Sequence, residues 1–191
     1  MQIETERLLM RPIIAEDAAD IFEYSREPNV GPNAGWKPHE SIEESRDIMN
    51  KIFIGHKNIF GMVLKGTNKV IGSIGLIADP RRINPQVLML GYAMSEHCWG
   101  KQLMTEAAKA IVAYGFETLS LDMISCTCYP YNNRSRRVIQ KCGFQYEGRL
   151  LQCEVRYDGI IMDLESFLLT QNEWMAIKSK ICQKGDLGPT T

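Results

Sequence analysis

His97-Cys98-Trp99-Gly100-Lys101-Gln102-Leu103-Met104-Thr105-Glu106-Ala107 joins two patterns of different period. Before it, Val87 to Met94 is an apolar run of strand length. After it, Ala107, Ala108, Ile111, Val112 and Phe116 recur at three and four residues, as one face of an amphipathic helix does. A strand that turns through Gly100 into a helix aims the first-turn N–H groups, which have no intrahelical acceptor, at one place. The positive end of the helix dipole lies there too, so the junction predicts a site for an anion such as a diphosphate.

Working upstream, Ile59 to Leu64, Val70 to Ile77 and Val87 to Met94 are apolar runs divided by Gly66-Thr67-Asn68 and by Asp79 to Pro85, which predicts three consecutive antiparallel strands. Arg7-Leu8-Leu9-Met10-Arg11-Pro12 reads as an opening strand closed by proline, and Ala15 to Arg26 as a helix with Ala18, Ile21 and Phe22 on one face. Pro28 to Pro38 is a turn-rich break, after which Ser41-Ile42-Glu43-Glu44 starts a second helix that ends near Gly55. Downstream, Met123 to Tyr129 predicts a strand and Asn132 to Cys142 a helix stopped by Gly143. Two more strands begin at Phe144 and Ile160, the latter ending at Leu169. The order is βααβββαβαββ, an α/β (α+β) pattern whose strand-turn-helix junction marks a ligand crevice at a sheet edge or split. No repeat or linker divides the chain, so residues 1–177 are expected to form one domain. Residues 178–191, ending Gly-Asp-Leu-Gly-Pro-Thr-Thr, are expected to be a polar, frayed tail.

A chain of 191 residues can bury about 70% of its unfolded surface around one core. Its 45% hydrophobic and 24% charged residues are those of an ordinary soluble protein, and a net charge of −1 provides no general attraction to nucleic acid. Met1 to Arg7 lacks the apolar core of a signal peptide, and no run approaches the ~18 apolar residues that span a bilayer. No membrane partner is expected, and a cytoplasmic location is. Cys98, Cys126, Cys128, Cys142, Cys153 and Cys182 contain no C-x-x-C pair, and Cys126-x-Cys128 has no matching His/Cys pair. Buried reduced thiols are expected, with no metal.

Several short motifs carry a resemblance. Gly91-Tyr92 precedes the turn, Trp99-Gly100-Lys101 lies within it, and Thr105-Glu106-Ala107 opens the helix. Asn132-x-x-Ser135, Lys141-x-Gly143-Phe144, Glu147-Gly148, and Asp158-Gly159 with Asp163 follow in that order. The set resembles the GCN5-related N-acetyltransferases, the GNAT family, and within it the branch that acetylates ribosomal-protein N-termini. The similarity runs from Thr5-Glu6-Arg7-Leu8 to about Leu169. It implies a mixed central sheet of about seven strands with helices on both faces. It also implies direct transfer of an acetyl group from acetyl-CoA, as co-substrate, to a primary amine in a ternary complex, the acceptor being a protein N-terminus or a small amine.

The resemblance further implies a β-bulge near Met94 that splays two strands, so that pantetheine pairs with exposed backbone. Gly100, Lys101, Gln102, Leu103 and Met104 would hold the diphosphate, with His97 and Thr105 flanking that loop. Glu154 takes the place of the general base and Ser135 that of the acid toward the CoA thiolate. His97-x-x-Gly100-x-Gln102 departs from the family's Gln/Arg-x-x-Gly-x-Gly/Ala, since a side chain at Gln102 limits how near backbone approaches the diphosphate.

Each candidate has an ordinary alternative. Asn132 suits a pantetheine amide or an N-cap. Ser135 is either an acid or a solvent-facing helix serine, and Glu154 either a base or an exposed strand carboxylate. Glu96 and His97 are rival proton acceptors, whereas His39 and His56 read as surface residues. Arg134, Arg136 and Arg137 suit the 3′-phosphate or form a solvated face, and Lys141 reads as structural. Trp36 lines the acceptor site or packs under its loop. The competing functions are a non-catalytic acyl-CoA-binding module, favoured by Gln102, and an acyltransferase for a longer acyl-CoA. A homodimer through the sheet edge or the C-terminal segment is compatible with any of them.

Overall fold

The apolar runs read as strands form the sheet. A computed structural model describes residues 1–185, with side chains through residue 180. β1 (Ile3–Glu4) and β2 (Leu8–Arg11) are followed by α1 (Ala18–Ser25), the short α2 (Gly31–Ala34) and α3 (Ile42–Ile48). β3 (Ile59–Leu64), β4 (Lys69–Ala78) and β5 (Val87–Met94) lead into α4 (Leu103–Glu117). β6 (Met123–Cys128), α5 (Asn133–Lys141), β7 (Gln145–Val155), β8 (Ile161–Thr170) and α6 (Gln171–Gly185) follow. The eight strands lie in the order β1-β2-β3-β4-β5-β6-β8-β7. Each neighbouring pair is antiparallel except β5 and β6, which are parallel.

Successive strand residues point to opposite faces, so a run without polar alternation needs cover on both. On one face Phe60, Met62, Ile74 and Leu90 meet Ala107, Ala108 and Ile111 of α4 and Ile139 of α5. On the other, Val63 and Val70 pack with Ile21 of α1 and with Met49, just beyond α3. Helices therefore cover both faces, as expected. Gly115 lets α4 approach closely, since a Cβ there would stand 2.8 Å from Ile124 Cδ1 and 2.9 Å from Leu76 Cδ1.

Three expectations are corrected. The sheet has eight strands rather than about seven, because Ile3↔Met10 and Glu4↔Leu9 pair across a Thr5-Glu6-Arg7 turn closed by Thr5 N–H to Leu8 O, 2.9 Å. The expected tail is helical as far as Gly185; residues 186–191 lie outside the described residues. Thr170 and Glu173 form a reciprocal cap at the start of α6, with Thr170 N–H to Glu173 Oε2 at 2.9 Å and Glu173 N–H to Thr170 Oγ1 at 3.3 Å. Trp174 then stacks on Phe116 at 5.2 Å. Finally, His39 is buried rather than on the surface, with Nδ1 2.8 Å from Ser45 Oγ, and burial lowers its pKa. Cys98, Cys126, Cys128 and Cys142 are buried as expected. Cys153 is exposed, since β7 is an edge strand with a register shift between Leu150 and Glu154. The Cys182 side chain lies outside the described residues.

A buried carboxylate fastens the strand ends. Asp79 accepts from Ser125 Oγ at 2.6 Å, from Arg81 N–H at 2.9 Å and from Arg82 Nη1 at 2.9 Å, and Arg82 reaches on to Glu147 at 2.5 Å. Burial raises the Asp79 pKa, but these donors together outweigh it and leave the carboxyl below its ordinary 3.8. As the folded form is the stronger acid, this stabilisation is complete above the ordinary value and disappears as pH falls below it. Asp79→Asn is expected to cost about 3 kcal/mol at pH 7, lowering Tm by roughly 6–12 °C. Thermal unfolding at pH 7 and pH 3 checks this, with the gap from wild type narrowing in acid.

Candidate active site

β4 and β5 keep one register from Ala78↔Leu88 to Gly72↔Met94, so the bulge expected near Met94 is absent. The strands of the site part by another route. β5 pairs with β6 only from Val87↔Met123 to Leu90↔Cys126, whereas β6 stays with β8 as far as Cys128↔Glu165. β6 leaves with the twist of its other neighbour, and the β6-facing edge of Gly91–Met94 has no strand partner.

A cleft of about 630 Å³ occupies the divergence. Met94, Gly100, Gln102 and Leu103 line it, as do Met104, Thr105, Asn132 and Arg137. The two expected catalytic residues, Ser135 and Glu154, line the same cleft. The cleft thus brings together residues from β5, the turn before α4, the start of α5, and β7.

Two expected residues stand elsewhere. His97 belongs to a single 3₁₀ turn, Glu96–Cys98, whose Cys98 is buried, so its own side chain is exposed beside a separate small hollow near Lys69 and Glu23. It is not among the residues that line the cleft. Lys101 is exposed and does not line the cleft; its carbonyl accepts from Arg7 Nη1 at 3.0 Å. Glu96, the rival base, is engaged by Asn29 through N–H and Nδ2, both at 3.0 Å. Trp36 packs with the α1 cluster and against Gly31, which gives it the packing role. Arg136 turns to Glu165 at 2.6 Å, and the Arg134 guanidinium lies 4.7 Å above the Trp99 ring.

The turn before α4 explains how Gln102 is accommodated. Gln102 sits at φ 62° and ψ 8°, the left-handed conformation that glycine takes without cost, and Gly100 precedes it at φ 76° with open space beside its Cα. Backbone direction is that of a glycine turn, with a side chain added. The first intrahelical bond is Glu106 N–H to Gln102 O, 3.0 Å, so the N–H groups of Leu103, Met104 and Thr105 precede the ladder at the cleft wall.

Each catalytic candidate is held by a tyrosine. Tyr129 donates a short hydrogen bond to Glu154 Oε1, and Gly35 of the α2 turn comes so close that a Cβ would lie 3.1 Å from the same oxygen. Burial first, and then the Glu154 bond and charge, push the Tyr129 phenol well up and keep it protonated. Ser135 Oγ lies 2.7 Å from Tyr92 Oη. Asn132 caps α5 by accepting from Ser135 N–H at 3.1 Å, so it has the capping role while also lining the cleft. The sequence reading left Tyr129, Gly35 and any role for Tyr92 unassigned. Tyr129 stands just before Pro130 at a strand end, a position that turns the chain at the crevice, and this was the available signal.

Residues 7–145 match the Acetyltransferase (GNAT) domain. The chain belongs to the GNAT acetyltransferase family. An uncharacterized N-acetyltransferase, p20, from Bacillus licheniformis is 30% identical over 89% of this chain and 96% of its own. The Escherichia coli ribosomal protein uS5-alanine N-acetyltransferase is 27% identical over 78% of this chain and 80% of its own. A GNAT acetyltransferase structure from Bacillus anthracis superposes with a TM-score of 0.79 at 27% identity, covering 90% of this chain and 99% of that one. The GNAT enzyme described here is therefore an N-acetyltransferase. Among the described residues, no helix is long and apolar enough to cross a membrane, and no group of three or more His, Cys, Asp or Glu could hold a metal ion.

A left-handed non-glycine residue costs about 1 kcal/mol. Gln102→Gly is expected to raise Tm by roughly 2–4 °C while preserving the acetyl-CoA dissociation constant or tightening it. Calorimetric melting and titration check both, and a weaker complex would mean that the Gln102 side chain itself contributes a contact.

Proposed function

We propose that the cleft binds acetyl-CoA and that this GNAT enzyme acetylates a protein N-terminus, with Glu154 as base and Ser135 as acid. The observation that carries the reading is the placement of a carboxylate and a hydroxyl, from β7 and α5, on one cleft whose floor is the strand divergence. The fit to the co-substrate rests on two features. The Gly91–Met94 edge, which has no strand partner on its β6 side and whose Met94 carbonyl alone is engaged by Trp99 Nε1, suits pairing with the amides of an extended pantetheine, and the N–H groups ahead of the α4 ladder suit a diphosphate. Arg137, which lines the cleft with Arg134, suits a further phosphate.

When bound, acetyl-CoA supplies the activated acetyl thioester. Glu154 accepts the proton of the acceptor ammonium at Oε2, its Oε1 being occupied by Tyr129. Ser135 Oγ delivers a proton to the sulfur. The cleft walls contribute proximity, the largest effect available to a reaction between two bound reactants. A protein N-terminus is favoured as acceptor by the 27% identity with the Escherichia coli uS5-alanine enzyme along 78% of the chain.

Glu154→Gln is expected to lower kcat by about 10²–10³-fold with acetyl-CoA binding intact. Saturating acetyl-CoA, at about 100 times Kd, is expected to stabilise both forms by ~2.7 kcal/mol, a melting shift of roughly 5–10 °C. Thiol release is followed with an alanine-initiated peptide and with spermidine. Faster turnover of the peptide supports the acceptor assignment, and faster turnover of spermidine overturns it. A melting shift without turnover of either amine by the wild type would favour a binding module instead.

A further inference from the structure

We propose that Tyr92 is a positioning residue for the acid: its hydroxyl donates to Ser135 Oγ and thereby turns the serine's own proton toward the cleft. The inference rests on Ser135 serving as the acid. Tyr92 lies on β5, at the point where that strand has lost β6, and its ring packs against the main core below α5. Its hydroxyl has two oxygens in reach, Ser135 Oγ at 2.7 Å and Ser135 O at 3.3 Å, both on the same residue. Burial pushes the phenol well above its usual pKa, so it keeps its proton and must place it on one of them.

The shorter contact goes to Oγ. A phenol, with a pKa near 10, is a far stronger acid than an alcohol and is the natural donor of the pair. In that arrangement Oγ receives one hydrogen bond from below, and its own O–H is available to the cleft that Ser135 lines. In the reverse arrangement the serine proton would be engaged by the Tyr92 oxygen and would not be presented to a thiolate in the cleft. The backbone of Ser135 is fixed independently, by the 3.1 Å bond from its N–H to Asn132 Oδ1. Asn132 thus sets where the serine stands and Tyr92 sets which way its hydroxyl faces.

The proton balance is simple. As the C–S bond breaks, the Ser135 O–H bond breaks and an S–H bond forms. A solvent proton from the cleft forms the new O–H bond on Oγ in step with that transfer, so no alkoxide forms beside the phenol, and the Tyr92 hydrogen bond holds Oγ in place while the amine proton leaves through Glu154 to solvent.

A double-mutant cycle tests this, with acetyl-CoA and whichever of the alanine-initiated peptide and spermidine turns over faster. Tyr92→Phe retains the ring that fills the core. Each variant is melted with and without acetyl-CoA, so that folding and co-substrate binding are read separately from turnover. Ser135→Ala is expected to lower kcat about 100-fold, and Tyr92→Phe roughly tenfold, with KM for acetyl-CoA and the melting shift unchanged. Added to Ser135→Ala, Tyr92→Phe is expected to lower kcat no further. An equal loss from Tyr92→Phe in both backgrounds would mean that Tyr92 acts through packing, which overturns the proposal. So would wild-type kcat in Tyr92→Phe, or a rise in KM without a fall in kcat. Full activity in Ser135→Ala would instead remove the serine from the mechanism, and Tyr92 with it.

Discussion

Four residue pairs join β5 to β6, and the site exists because there is no fifth. Backbone N–H and C=O groups must be paired or solvated, so a strand edge that opens inside a sheet is available to any ligand with amides of its own. The opening also has to be held open. β5 is paired with β4 from Leu88 to Met94, and β6 with β8 along its whole length, so each wall is anchored by a neighbour outside the split. At the closed end, Asp79 beyond β4 holds Ser125 of β6, next to the Met89↔Ser125 pair. The split is therefore bounded by a buried polar fastening and cannot run back along the parallel pairing without breaking it.

The same separation of tasks appears in the turn before α4. Glu106 accepts from Thr5 Oγ1 at 2.6 Å, from Arg7 N–H at 2.8 Å and from Arg7 Nε at 2.7 Å, while Arg7 Nη1 holds the Lys101 carbonyl. Burial raises the Glu106 pKa, yet these donors lower it overall. On the other side Trp99 Nε1 donates to Met94 O at 2.8 Å and Arg134 covers the indole face. A loop secured at both ends can hold one left-handed residue that is not glycine, as Gln102 is. Two motifs that look unrelated in sequence, Thr5-Glu6-Arg7-Leu8 and Thr105-Glu106-Ala107, are one hydrogen-bonded unit in the fold.

Periodicity made the strands and the amphipathic α4 legible, because burial on both faces leaves no polar alternation and a helix on the sheet leaves a regular stripe. What it could not show was anything set by pairing between distant segments. The divergence at Leu90 and Cys126 is decided by where β6 stops following β5, which neither strand encodes alone. The direction of the His97 side chain is set within one 3₁₀ turn whose Cys98 is buried, and turn geometry of that length has no period to read. α6 was overlooked although Thr170-x-x-Glu173 is a capping pair, since the polar composition after it outweighed that signal. The candidate site was legible as residue types in order; the tyrosines that hold Ser135 and Glu154 were not, because each contact joins residues from different elements.

Those two tyrosines explain how a mobile-looking set of groups can be placed accurately. General acid and base must lie within hydrogen-bond reach of the protons they move, and small displacements cost large factors in rate. Glu154 sits on an edge strand beside a register shift, and Ser135 on the first turn of a short helix, neither of which is rigid by itself. Tyr92 reaches Ser135 from β5, whereas Tyr129 reaches Glu154 from the end of β6. The two strands that part to make the cleft thus each send one phenol to fix one of these two side chains. Because β5 is held by β4 and β6 by β8, the separation of Ser135 from Glu154 is inherited from the sheet rather than from the loops that surround the mouth.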